Sequence, residues 1–256
     1  MGFTHWFLTL LCPSSRFKPT DIPNCDLWLA ADHITGLSDG DPITTWPDLS
    51  GNGNDFTQAG VKRPSYETNQ INRYPAAGFD GADGIMLAAN FSAATEGALF
   101  VVWRPSAPIA NVQCLFSSSE EAADVRYWAI RGYLLGGEPN INVIQRDSDA
   151  EDSYKGATTV VAGTVYLVVW QSSGTAWTAR LNCATEALVM RSGANNGDWL
   201  GDTADRDNFA LGARKGTGES NFTKGHIAEV ILYGRGLSMG EILRIENYLR
   251  KKYGFI

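Results

Sequence analysis

Short apolar runs separated by Gly, Ser, Asp and Asn recur along most of the chain. Their spacing predicts strands over residues 27–30, 98–104, 112–117, 126–131, 140–145, 165–171, 175–182, 209–213 and 226–232. Trp177, Ala179 and Leu181 alternate with Thr178, Arg180 and Asn182, the period of a half-buried antiparallel strand. Helical periodicity is convincing only at the C-terminus. Ser238 followed by Glu241 has the spacing of a capping box, and Ile242, Ile245 and Leu249 fall on one face. Arg250, Lys251 and Lys252 sit at the negative end of the helix dipole, and Gly254 is a stop. The pattern predicts an all-β, two-sheet antiparallel sandwich with one C-terminal α-helix plugging one side, organised as an N-terminal arm over 1–23 and a single domain over 24–256.

Composition narrows the partners. Of the 256 residues 44% are hydrophobic and 19% charged, enough for a sizeable core and too apolar for disorder. The net charge of −7, with no Lys/Arg run outside the last helix, argues against nucleic acid or an anionic membrane as partner. No apolar stretch approaches the roughly 20 residues of a membrane span. Cys12, Cys25, Cys114 and Cys183 show no CxxC metal spacing, so buried free thiols are expected, with a Cys12–Cys25 bridge as the alternative.

The arm is the most apolar segment outside the sandwich pattern. Trp6, Phe7, Leu8, Leu10 and Leu11 crowd together, with no Lys or Arg before Arg16 and no small-x-small cleavage site, so an assembly segment is expected and an export signal is not.

Four stretches offer chemistry. "RDSDAED" places Asp147, Asp149 and Glu151 at i, i+2 and i+4, about 6.6 Å apart per step on a strand, as paired carboxylates would need. The small spacers Ser148 and Ala150, after an already complete strand, favour a solvated acidic turn. "DLSGNGND" supplies Asp48, Asn52, Asn54 and Asp55 as candidate calcium ligands, although Gly51 and Gly53 also fit a plain turn. "GANNGDW" sets Trp199 among Asn195, Asn196 and Asp198, either as a sugar-stacking platform or as an aromatic anchor for the loop. His226 and Glu229 have odd spacing, which on a regular strand points them to opposite faces.

"LWLAADHITGLSDGDPITTWPDLSGNGNDFTQ", "RPSYETNQINRYPAAGFDG", "ALFVVWRP" and "GHIAEVILYGRGLSMGEILRIENYLRKKYGF" resemble, in this order, the concanavalin A-like jelly rolls of the laminin G-like type. The likeness covers about residues 24–256. Such domains are common in phage structural proteins and bacterial surface proteins. The resemblance implies a jelly roll whose final helix follows its last strand. It also implies a non-enzymatic virion structural or adhesion protein, decorating a head or associated with a tail. Its expected partners are other virion proteins or further copies through the arm, and host glycans. No cofactor is required, and calcium is the one metal the loops would take. The alternative is a glycan-binding module of a bacterial surface protein; a further one is a glycosidase or polysaccharide lyase.

Overall fold

The computed structural model describes residues 17–109, 112–135 and 138–255. Trp6, Phe7, Leu8, Leu10, Leu11 and Cys12 lie outside the described residues.

Two antiparallel sheets face each other. The first runs, in spatial order, Ala184–Glu186, Trp177–Leu181, Tyr166–Ser172, Gly97–Pro105, Lys224–Tyr233, Tyr74–Asp80 and Ser65–Ile71, with Cys25–Ala30 also pairing with Lys224–Tyr233. The second has nine strands: Leu188–Ser192, Ala150–Gly156, Glu138–Asp147, Arg126–Leu135, Gln113–Ser119, Asn208–Leu211, Met86–Ala89, Phe56–Thr57 and Thr45–Trp46. A two-stranded hairpin of Arg214–Lys215 and Glu219–Ser220 stands apart. Runs of hairpin-linked strands are joined by crossovers between strands far apart in sequence, such as Gly97–Pro105 beside Lys224–Tyr233 and Gln113–Ser119 beside Asn208–Leu211, as in a jelly roll.

Between the sheets lies an aromatic core that includes Trp46, Trp103, Trp128, Trp170, Trp177 and Trp199. Gly132 is needed here for close approach: a Cβ on it would sit 2.9 Å from Cη2 of Trp103. The strand Gly97–Pro105 is apolar on both faces because both are covered. Leu99, Val101 and Trp103 point into the inter-sheet core, while Ala98, Phe100 and Val102 point toward the helix.

The helix Met239–Tyr253 forms where the sequence places it. Ser238 Oγ accepts from the Glu241 N–H, and Gly254 closes the end at φ 76°, its N–H donating to the Arg250 carbonyl. Ile242, Ile245 and Leu249 pack on the outer face of the first sheet, so the molecule has three layers: helix, sheet, sheet. The described part of the arm joins the same layer, with Ile22 buried and the Tyr233 hydroxyl donating to the Pro19 carbonyl at 2.8 Å.

A buried ionic cluster locks the helix to this sheet. Glu229, 1% exposed, accepts from the Trp28 indole at 2.8 Å, the Tyr248 hydroxyl at 2.9 Å, the Tyr253 hydroxyl at 2.8 Å and the Lys252 ammonium at 2.8 Å. Lys252 also meets Asp32 at 2.7 Å. All of these polar groups are satisfied, as burial requires.

Two sequence expectations change. His226 and Glu229 share the helix-side face, because a β-bulge between Ile227 and Glu229 absorbs one residue of the alternation. They still do not pair, since His226 bonds Glu67 at 2.7 Å. "RDSDAED" is not one strand or one turn. It is a hairpin in which Asp147 ends Glu138–Asp147, Ser148 and Asp149 turn, and Glu151 belongs to Ala150–Gly156.

Candidate functional site

The inner face of the nine-stranded sheet is apolar, so its alternate residues line the outer face, and these are largely polar. Strand register arranges them in rows. One row reads Asn208, Ser119, Tyr127, Arg146 and Glu151; the next Ala210, Ser117, Ala129, Ile144 and Ser153. A third reads Cys114, Arg131, Asn142, Lys155 and Val189, and beyond it Tyr133 stands opposite Asn140. A small apolar patch of Cys114, Tyr127, Ala129 and Ile144 occupies the middle.

The two ends differ in charge balance. At one end Arg214 meets Asp124 at 3.2 Å and Lys215 meets Glu121 at 2.9 Å, while Arg146 donates to the Ser148 carbonyl at 3.2 Å and has no ion pair among the described residues. At the Tyr133 end Arg131, Arg191 and Lys155 have no ion pair among the described residues. They bind neutral groups instead. The Arg131 guanidinium donates to Asn142 Oδ1 at 2.6 Å, and Lys155 donates to Asn140 Oδ1 at 3.2 Å. Arg191 donates to the Tyr133 hydroxyl at 3.0 Å, with its guanidinium carbon 3.9 Å from the Tyr133 ring centre; that of Arg131 is 4.9 Å away. Asn142 is fixed from below, donating to Ser153 Oγ at 2.9 Å and to the Tyr154 carbonyl at 2.7 Å. Burial first, and the neighbouring Arg191 charge as well, push the Arg131 guanidinium below its ordinary value.

Among the described residues nine buried side-chain polar atoms make no hydrogen bond. Four are indole nitrogens of the inter-sheet core; the other five, Ser119 Oγ, Arg191 Nε, Asn208 Oδ1, Arg214 Nη1 and Ser220 Oγ, belong to this outer face and the hairpin beside it. Unpaired polar atoms are costly when buried.

The loop "GANNGDW" behaves differently from a platform. Trp199 is 0% exposed and packs edge-to-face on Trp128 at 4.5 Å, so no ring face is open to a sugar. A loop Trp next to Leu200 is drawn into the core because that is where its area is buried best. Asn195 is likewise used internally, accepting from the Trp177 N–H at 2.5 Å and donating to the Trp177 carbonyl at 3.1 Å. Asn196 donates to Asp152 at 3.1 Å, and Asp152 also takes the Ala194 N–H at 2.6 Å. Partial burial, then the bond and charge of Asp152 and the charge of Asp202, push the Asp198 carboxyl up to about 6.

That shift has a sign. The folded state holds a proton which the unfolded chain has released above the ordinary aspartate range, so stability falls as pH rises from about 4 to 6 and levels off above. Because Asp198 is only half-buried, screening reduces the effect to about 1 kcal/mol. Urea unfolding of wild type and Asp198→Asn at pH 4.5 and 7 checks it: the pH 7 stability of the variant should exceed that of wild type. Equal stabilities at both pH values would contradict the assignment.

In "DLSGNGND" the proposed calcium ligands hold the loop together. Asp48 accepts from the N–H groups of Trp28, Ser50 and Asn54 at 2.9–3.0 Å and from the Ser50 hydroxyl at 2.6 Å. Asp55 accepts from the Asp48 N–H at 2.8 Å, while Asn52 and Asn54 donate to the Asp26 carbonyl. Both oxygens of Asp48 are therefore committed to an Asx-type turn network, and no group of three His, Cys, Asp or Glu among the described residues is placed to hold a metal. Asp147 and Glu151 are also engaged, with Arg126 and with the Ser192 hydroxyl at 2.7 Å, while Asp149 sits exposed in the turn. None of the described cysteines is activated as a nucleophile. Burial pushes the Cys25 thiol up to about 12 and that of Cys114 to about 11, and Cys25, Cys114 and Cys183 are free.

A cleft of about 170 Å³ beside the helix is lined by Phe17, Lys18, Trp28, Asp32, His33, Tyr74, Tyr248 and Lys252. Of its charged members Asp32 and Lys252 neutralise each other, and Lys18 stands beside them.

No family model matches the sequence, and no curated protein matches it. Solved structures do. Domain 4 of an extracellular GH43 arabinanase from Geobacillus stearothermophilus, solved with arabinotriose, matches with a TM-score of 0.59 at 14% identity, covering 87% of this chain and 98% of that one. The CBM40 domain of the Ruminococcus gnavus IT-sialidase matches at TM-score 0.51 and 16% identity, covering 60% of this chain and 84% of that domain. The shared fold is a two-sheet antiparallel jelly-roll sandwich. A Trypanosoma rangeli sialidase also matches, at TM-score 0.58 and 12% identity, but this chain spans only 33% of it. At these identities the likeness is one of fold.

Proposed function

We propose that this chain is a non-catalytic glycan-binding module whose ligand lies on the outer face of the nine-stranded sheet. The observation that carries the reading is the Tyr133 end of that face. There a partly exposed aromatic ring, two amides and three unpaired cations stand on adjacent strands of a rigid sheet. Guanidinium and ammonium donors match sugar hydroxyls and an aromatic ring offers a stacking surface, while the buried Asn140 and Asn142 amides hold the cations in place. The fold shared with an arabinotriose-bound domain and a sialidase CBM40 domain supports the glycan-binding alternative over the virion role expected from the sequence. Engagement of Asp147 and Glu151 in internal contacts supports binding without hydrolysis.

A glycan array followed by calorimetry on the best ligand tests this. Wild type should bind at least one oligosaccharide class without turning it over, and Tyr133→Ala should weaken that binding about tenfold, the scale of one aromatic contact. Binding that is indifferent to Tyr133→Ala, or no glycan bound at all, would overturn the proposal.

A further inference from the structure

The cations at the Tyr133 end carry the argument further. A protein surface normally neutralises clustered cations, and at the other end of this face Arg214 and Lys215 are neutralised by Asp124 and Glu121. Arg131, Asn142 and Lys155 are direct cross-strand neighbours in one row, and Arg191 is held over the adjacent Tyr133 ring. None of the three cations has an acidic partner among the described residues, although the chain as a whole has a net charge of −7. The closest carboxylate along the strand, Glu138, is exposed and forms no ion pair among the described residues. Arg191 Nε is buried with no acceptor. Like charges brought together cost energy that an anion would recover, and a guanidinium presents a fork of donors suited to a carboxylate or sulfate.

We propose that this end of the face recognises the anionic group of an acidic sugar, the carboxylate or sulfate lying between Arg191, Lys155 and Arg131 while the sugar ring lies along Tyr133. The inference rests on the glycan-binding reading and names its ligand class. Asn140 and Asn142 then act as positioning residues: each accepts one donor from a cation and leaves that cation's remaining donors for the ligand. The Arg131 guanidinium, held down by burial and by Arg191, would be relieved by the bound charge.

Calorimetry on the full chain separates the outcomes, using sialyllactose and a galacturonate trisaccharide as carboxylates, a sulfated galactose disaccharide as sulfate, and lactose and arabinotriose as neutral probes. At least one anionic probe should bind ten times or more tighter than a neutral probe of similar size, and weaken as salt rises. The better of the carboxylate and sulfate arms identifies the group. Arg191→Gln and Lys155→Gln, both at partly exposed positions, should each reduce the anionic-to-neutral affinity ratio about tenfold, whereas Lys251→Gln on the exposed side of the helix should not. Using two variants keeps the test decisive if one misfolds. Neutral probes bound as tightly as anionic ones, or ratios unmoved in both variants, would overturn the inference and leave the glycan reading standing. Failure of every probe to bind would overturn both.

Discussion

Lys252→Met should lower the stability of the protein by about 3–5 kcal/mol, the usual consequence of removing one partner from a buried ion pair. The side chain of Glu229 is 0% exposed, and Lys252 supplies its only cationic contact among the described residues. Without it the carboxylate keeps the donors of Trp28, Tyr248 and Tyr253 but loses its compensating charge. In thermal unfolding this corresponds to a fall of roughly 10 °C for a domain of this size. Adding Glu229→Gln to Lys252→Met should recover part of the loss, because the uncompensated charge is then gone. A loss under about 1 kcal/mol for Lys252→Met would mean that the helix is held by its apolar face alone.

Trp199→Ala should cost about 3–5 kcal/mol, the scale of emptying a buried aromatic site, and should act on folding rather than on ligand contact. The ring fills the space beside Gly97 and against Trp128. Chemical denaturation measures the cost. A fully stable Trp199→Ala variant with impaired glycan binding would restore the platform role that its burial argues against.

The contrast between Trp199 and Tyr133 shows how far the sequence can be read. Strands with apolar residues on at least one face, such as Gly97–Pro105 and Lys224–Tyr233, announce themselves through alternation or continuous runs, and the helix through its capping box and i, i+3, i+7 pattern. Ser65–Ile71 and Ala150–Gly156 do not, because as edge or near-edge strands they carry polar residues on both sides. Tyr74–Asp80 is hidden by Pro75, two alanines and Gly78, which read locally as a turn although the strand is paired on both sides.

The site is harder still to foresee. Arg131, Lys155 and Arg191 lie on three strands, and only the register of Asn142 with both Arg131 and Lys155 brings two of them into one row. Taken one at a time, each is an ordinary polar residue on the solvent side of a strand. The one local signal was the alternation in 126–131, which sends Trp128 and Ile130 inward and so turns Tyr127 and Arg131 outward. Loops with Asn, Asp and Trp draw attention because their residues are adjacent in sequence, yet here Asp48, Asn52, Asn195 and Trp199 spend their polar and aromatic groups on holding the loops in place.

Where a bound sugar sits is therefore the decisive question. Backbone amide chemical-shift mapping of the isotope-labelled chain, titrated with its best array ligand, answers it directly. The expected result is a contiguous set of shifts at Arg131, Tyr133, Asn140, Asn142, Lys155 and Arg191. Shifts confined to the helix-side cleft around Trp28 and His33, or to the loop from Asn195 to Trp199, would contradict the account.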